Sequence, residues 1–163
     1  MGVKLYNCTI IETEKVKITK VYERPLVIPK SKGVRGIRGK ATDPEKSLYN
    51  SLARAKRAIY EYAIANDWDF WATLTLDRSK IDRYSLDVIQ KRLSGYLKNT
   101  RIRKHKDLKW LIVPEMHKDG AWHFHLLLAG LPDSELRDSG KTYRDTGRKI
   151  YNWIDYEEKF GWN

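Results

Sequence analysis

Glu115, His123 and His125 are the residues of this sequence whose types and spacing suit chemistry on a charged substrate. They lie in PEMHKDGAWHFHLLLAG, residues 114–130, with the histidines one residue apart and the glutamate eight positions before the first of them. Two imidazoles and one carboxylate supply three ligands for a divalent cation and leave coordination positions open for water or substrate. That pattern belongs to catalytic sites rather than to closed four-ligand structural ones.

The chain between them decides whether they meet. Asp119-Gly120 is a strong hairpin signal. With Lys118, Asp119 and Gly120 as a three-residue loop and glycine in the left-handed position, His117 opposes Ala121, Glu115 opposes His123 and Val113 opposes His125. Side chains alternate along strands and directly opposed residues share a face, with Cβ atoms roughly 4.5–5.5 Å apart. The three ligands then converge, and a slip of one residue would send the glutamate to the other face. Leu111, Val113 and Leu127 fall on the same face, which is therefore not wholly wet. His117 falls there too, at the hairpin end, and reads as a solvent-facing turn residue. The competing reading is that His123 and His125 are partly buried core histidines with local hydrogen bonds.

The elements that position this hairpin follow from periodicity. Trp122, Phe124, Leu126 and Leu128 share the opposite face with Trp110 and Ile112 and predict the core layer. DFWATLTLD alternates as a half-buried strand, with Trp71, Thr73 and Thr75 on one face. Leu86, Ile89, Leu93, Tyr96 and Leu97 recur at helical spacing and predict a helix over 85–100. Asp43-Pro44 is a helix start, and Leu48, Leu52, Ile59 and Ala63 carry a helix over 44–66. Two β-rich runs around Glu12–Lys15 predict an N-terminal hairpin. Residues 132–147 are turn-rich and assigned no element, and the segment from Ile150 reads as a short helix or turn. The sum is an α+β chain: an antiparallel sheet with helices packed on one face.

Lysine and arginine number 32 against 21 acidic residues, a formal charge of +11, which points to a polyanionic partner. Lys30, Lys32, Arg35, Arg38 and Lys40 sit in a glycine-rich loop, and Arg101, Arg103 and Lys104 open a second basic tract that includes His105. Both are candidate phosphate contacts, against the alternative of solvated charge. A single cysteine excludes a disulfide framework, and no apolar run reaches the ~18 residues of a membrane span or resembles a signal peptide, so the expected location is cytoplasmic.

The order FWATLTLD, then VPE, then WHFHLLL resembles the first and second motifs of the HUH endonucleases, specifically the rolling-circle replication initiators of bacterial plasmids and phages. The similarity runs from about residue 53 to 163. It implies that Glu115, His123 and His125 hold Mg²⁺ or Mn²⁺, that the Thr73-Leu74-Thr75 strand lies beside them, and that the sheet is five-stranded and antiparallel, like that of RNA-recognition folds. It implies a partner in single-stranded or hairpin origin DNA and leaves room for a host replication helicase or polymerase. In that family a tyrosine attacks the DNA phosphate, leaving a phosphotyrosine link and a free 3′-OH. Tyr156 and Lys159 read tyrosine-x-x-lysine, but they stand where the family has a surface segment. The expected nucleophile therefore lies beyond Asn163, and this chain by itself is expected to bind DNA but cleave it poorly. The domain reading is an N-terminal hairpin and basic loop over 1–43 and an endonuclease domain over 44–163, truncated before the tyrosine helix. Two other functions remain open: a transposase or relaxase with the same metal site, and a non-catalytic single-stranded nucleic-acid-binding module in which Trp71 stacks bases.

Overall fold

The computed structural model describes residues 4–28 and 39–162, so Lys30, Lys32, Arg35 and Arg38 lie outside the described residues. The chain divides into two compact units, Met1–Asn66 and Asp67–Asn163.

In the first unit, β1 (Lys4–Glu12) and β2 (Lys17–Ile28) pair antiparallel, with Glu12 opposite Lys17. Thr13 closes the turn: its amide donates to the Val16 carbonyl at 2.9 Å and its Oγ1 accepts from the Val16 amide at 3.0 Å. Helix α1 (Pro44–Ile64) begins where Asp43 accepts a hydrogen bond from the Lys46 amide at 3.0 Å, satisfying a donor the first turn would leave open. Lys20 on β2 and Arg57 on α1 both pair with Glu61, at 2.5 and 2.6 Å. Lys40 is exposed.

In the second unit, β3 (Phe70–Leu74), β5 (Trp122–Ala129) and β4 (Lys109–Met116) form an antiparallel sheet in the order β3-β5-β4. Helix α2 (Leu86–Arg103) covers one face. Its Ile89, Leu93 and Leu97 join Leu74, Phe124, Leu126 and Leu128 in one buried core, with Trp110, Ile112 and Trp122 partly buried against it. This is the core layer that the alternation predicts, and it fixes which face remains for the histidines. Burying each of these side chains contributes about 1.5–3 kcal/mol, so the register of the sheet is set by the apolar face and the histidines follow.

Three features differ from the sequence reading. The sheet containing the histidines has three strands among the described residues, not five. Thr75 and Asp77 extend the line of β3 by donating to the carbonyls of Trp162 and Phe160, both at 2.7 Å, but this segment forms no further strand. Residues 132–147, assigned no element above, contain a single 3-10 turn (Asp133–Glu135) and strand β6 (Leu136–Thr142), which pairs with β7 (Lys149–Trp153). The polar sequence LRDSGKT has no apolar face to announce a strand. It is held by its ladder, by Ser139 donating to the Ile150 carbonyl at 2.6 Å and by the Lys149–Asp138 pair at 2.8 Å. The segment from Ile150 is therefore the end of a strand followed by helix α3 (Ile154–Lys159), whose Tyr156 enters the core with Trp153 and Phe160.

Candidate metal centre

The β4–β5 turn sets the geometry. Gly120 has φ +84°, the left-handed position that a side chain would strain, and its amide donates to the His117 carbonyl at 2.9 Å. The His117 amide donates in turn to the Ala121 carbonyl at 2.8 Å. From this turn the ladder runs with Glu115 opposite His123 and Val113 opposite His125, the predicted register. β5 is the central strand, so His125 is also paired across to Thr73 on β3.

The Glu115 carboxylate lies 3.2 Å from His123 Nε2 and 2.6 Å from His125 Nε2. One ligand atom from each of the three residues lies within 4.8 Å of the others. Neighbouring ligands of a small divalent ion with bonds of about 2.1 Å stand about 3 Å apart; the two separations from Glu115 are near that value and all three lie within 4.8 Å, so the donor set would hold such an ion once the two imidazoles and the carboxylate adjust around it. An imidazole nitrogen and a carboxylate this close need a hydrogen or a cation between them, either an N–H donating to the oxygen or a metal ion held by both. A hydrogen bond accepted from His125, with the His123 ring beside it, holds the Glu115 carboxyl below the usual carboxylate range.

The surroundings differ for the two rings. His125 Nδ1 is 3.4 Å from Thr73 Oγ1, and its ring stacks on Trp71 with centroids 5.6 Å apart and planes 6° from parallel. With the proton on Nδ1, Nε2 would present its lone pair to a cation, the usual arrangement in which an outer partner orients a ligating imidazole. His123 is 9 % exposed, and its Nδ1 is buried with no hydrogen-bond partner among the described residues. His117 packs at 4.1 Å from the His123 ring. The sequence reading left it facing solvent; it is exposed, yet it borders the cluster in an open cleft with Glu115, Lys118 and Asp119. Its place on the same face, two positions from Glu115, was the signal for this.

The family described as replication-associated protein ORF2/G2P matches residues 69–159, more than half of the chain and including every residue of this cluster. The chain belongs to that family. The ORF2/G2P family is consistent with rolling-circle replication initiators of the HUH type. No curated protein and no solved structure matches the chain.

Other candidate residues of this ORF2/G2P protein fall in different places. Trp71 is exposed and Thr73 half-buried, both beside His125. Thr75 is occupied through its backbone, donating to Trp162 and accepting from the Tyr156 hydroxyl at 3.2 Å. Tyr156 is fully buried in the core, and burial pushes its hydroxyl well above the ordinary phenol range. Arg101, Arg103 and Lys104 end α2 on the helix-covered side of the sheet, where Arg101 lies 6.0 Å over the Trp110 ring and Lys104 pairs with Asp155 at 3.5 Å. They are not brought to the histidine face. His105 is 3.1 Å from Glu135 rather than standing free in a basic tract. No helix of the described residues is long and apolar enough to cross a membrane.

Proposed function

We infer that this protein is a replication initiator that binds single-stranded or hairpin origin DNA and holds Mg²⁺ or Mn²⁺ through Glu115 Oε2, His123 Nε2 and His125 Nε2 to act on a DNA phosphate. The observation that carries this reading is the convergence of one ligand atom from each of the three residues within 4.8 Å on one sheet face of a chain in a replication-associated family. A bound cation of this kind polarises a phosphate and stabilises charge developing on its oxygens. The chain's own part is to hold the ligands on a rigid hairpin, to orient the His125 ring through Thr73 and Trp71, and to keep the surroundings partly dry with half-buried Leu111, Val113 and Leu127. Glu115 remains more than half exposed, which leaves an open side for substrate.

In this reading the attacking oxygen is not that of Tyr156. A phenol needs access to the phosphate and help in losing its proton, whereas this hydroxyl is buried and donated to a backbone carbonyl. Tyr156 is a packing residue.

The test is a Mn²⁺ titration by calorimetry on the parent and on Glu115→Ala and His123→Ala, followed by binding of labelled single-stranded DNA with and without the metal. Saturable binding lost in both variants supports the site, and equal affinity in all three proteins sinks it. The exposed Trp71 favours a second reading as a non-catalytic single-strand binder, which requires DNA binding indifferent to metal.

A further inference from the structure

We propose that the cleft between the outer edge of β3 and the β6–β7 hairpin is a pocket for one unpaired nucleobase of the bound strand. This rests on the reading above that the protein binds single-stranded DNA. The cavity is about 190 Å³, lined by Trp71 and Thr73 from β3, by Tyr143, Lys149, Tyr151 and Trp153 from and beside the hairpin, and floored by leucines of β5. Pockets for drug-sized ligands run to about 300–1,000 Å³, so this one suits a single ring system and not a whole nucleotide cofactor.

Its walls are those of a base-stacking site. Trp71 is 58 % exposed, Tyr143 45 % and Tyr151 43 %, three large rings left in water around one apolar cavity. Aromatic faces and an apolar floor accept any base by stacking. The hairpin over 136–153 carries five cations, Arg137, Lys141, Arg144, Arg148 and Lys149, against Asp138 and Asp145, a balance complementary to a phosphate backbone.

The pocket also joins the metal centre. Thr73 lines the cavity and lies within hydrogen-bond distance of His125; Trp71 lines the cavity and stacks on the same imidazole. A base seated here belongs to a nucleotide near the phosphate at Glu115, His123 and His125, so the pocket would set which position along the strand reaches the cation. An added polypeptide strand fits less well. β3 has only five residues, and Thr75 and Asp77, just past its end, are already bonded to Trp162 and Phe160.

The experiment uses single-stranded 12-mers carrying one 2-aminopurine, whose fluorescence falls on stacking, moved stepwise along the sequence. The parent should quench strongly at one or two adjacent positions and weakly elsewhere. Tyr151→Ala should abolish that quench and weaken binding on the order of tenfold, Tyr151→Phe should retain both, and circular dichroism should show all three folded. An abasic site at the quenched position should cost the parent as much as Tyr151→Ala does, with no further loss when the two are combined. Uniform quenching along the strand, or parental affinity in Tyr151→Ala, overturns the pocket while leaving the initiator reading intact. Failure of the parent to bind any single strand overturns that reading as well. Protection of the Trp71 and Thr73 amides from exchange by an extended apolar peptide, without competition from DNA, would make the cleft a strand acceptor and end the proposal.

Discussion

Valine at position 73 keeps the branched shape of threonine and removes one hydroxyl, which isolates what that hydroxyl does for His125. Outer partners of ligating histidines are commonly worth 10- to 100-fold in metal affinity. Here the Thr73 Oγ1 to His125 Nδ1 separation is 3.4 Å, longer than the 2.7–3.2 Å typical of a good N–H···O bond. The Trp71 stack, only 6° from parallel, still holds the plane of the ring after the hydroxyl has gone. The lower end of the range is therefore expected: about a tenfold loss of Mn²⁺ affinity in Thr73→Val, or about 1.4 kcal/mol. Calorimetric titration of metal-stripped protein measures it directly. Thr73→Ser, which restores the hydroxyl without the methyl, should recover most of the affinity. Parental affinity in the valine variant, or equal loss in valine and serine, would refute the orienting role and reduce Thr73 to a residue that fills space beside the ring.

Tyr156→Phe should leave Mn²⁺ and DNA binding unchanged and lower the melting temperature by several degrees: the lost bond to the Thr75 carbonyl is worth about 0.5–1.5 kcal/mol, and a domain of this size shifts about 4–8 °C per kcal/mol; a loss of DNA binding with unchanged melting would contradict the packing role. Burial raises the Asp155 carboxyl, but the hydrogen bond from Lys159 and the charge of nearby Lys104 oppose that, and the carboxyl lies below its ordinary value. The stability it supplies is complete above the unfolded value of about 3.9 and is lost as pH falls through the lower folded value, so thermal melts of the parent and Asp155→Asn should differ near neutrality and converge on acidification. Affinity for single-stranded DNA should fall with salt by about −0.7 in the log–log slope per phosphate contact; with three or more contacts the slope is about −2 or steeper, and a flat profile would assign the +11 charge to solubility alone.

The cluster of Glu115, His123 and His125 was legible in the sequence because everything that creates it is local. Asp119-Gly120 fixes the turn, the two-residue period of strands fixes the faces, and the apolar set Phe124, Leu126 and Leu128 fixes which face turns inward; no contact from a distant element is needed to bring Glu115 opposite His123. The Asp43 cap of α1 and the apolar stripe of α2 were legible for the same reason. What only the tertiary structure decided depends on pairings between segments far apart in the chain. The strand order β3-β5-β4 sets Thr73 beside His125, 52 residues away, as the family resemblance implied and residue spacing did not, and it lays Trp71 on the same ring, which neither foresaw. Sequence spacing carries no information about which edge of β5 a distant strand will take. Strand β6 stayed hidden because its polar residues show no period; its backbone finds partners only once β7 is in place. Tyr156 followed the same rule. Its tyrosine-x-x-lysine context matched a nucleophile's while its place in the chain favoured packing; a side chain is available for attack only if the fold leaves it in solvent, and the packing of α3 against the core buried this one.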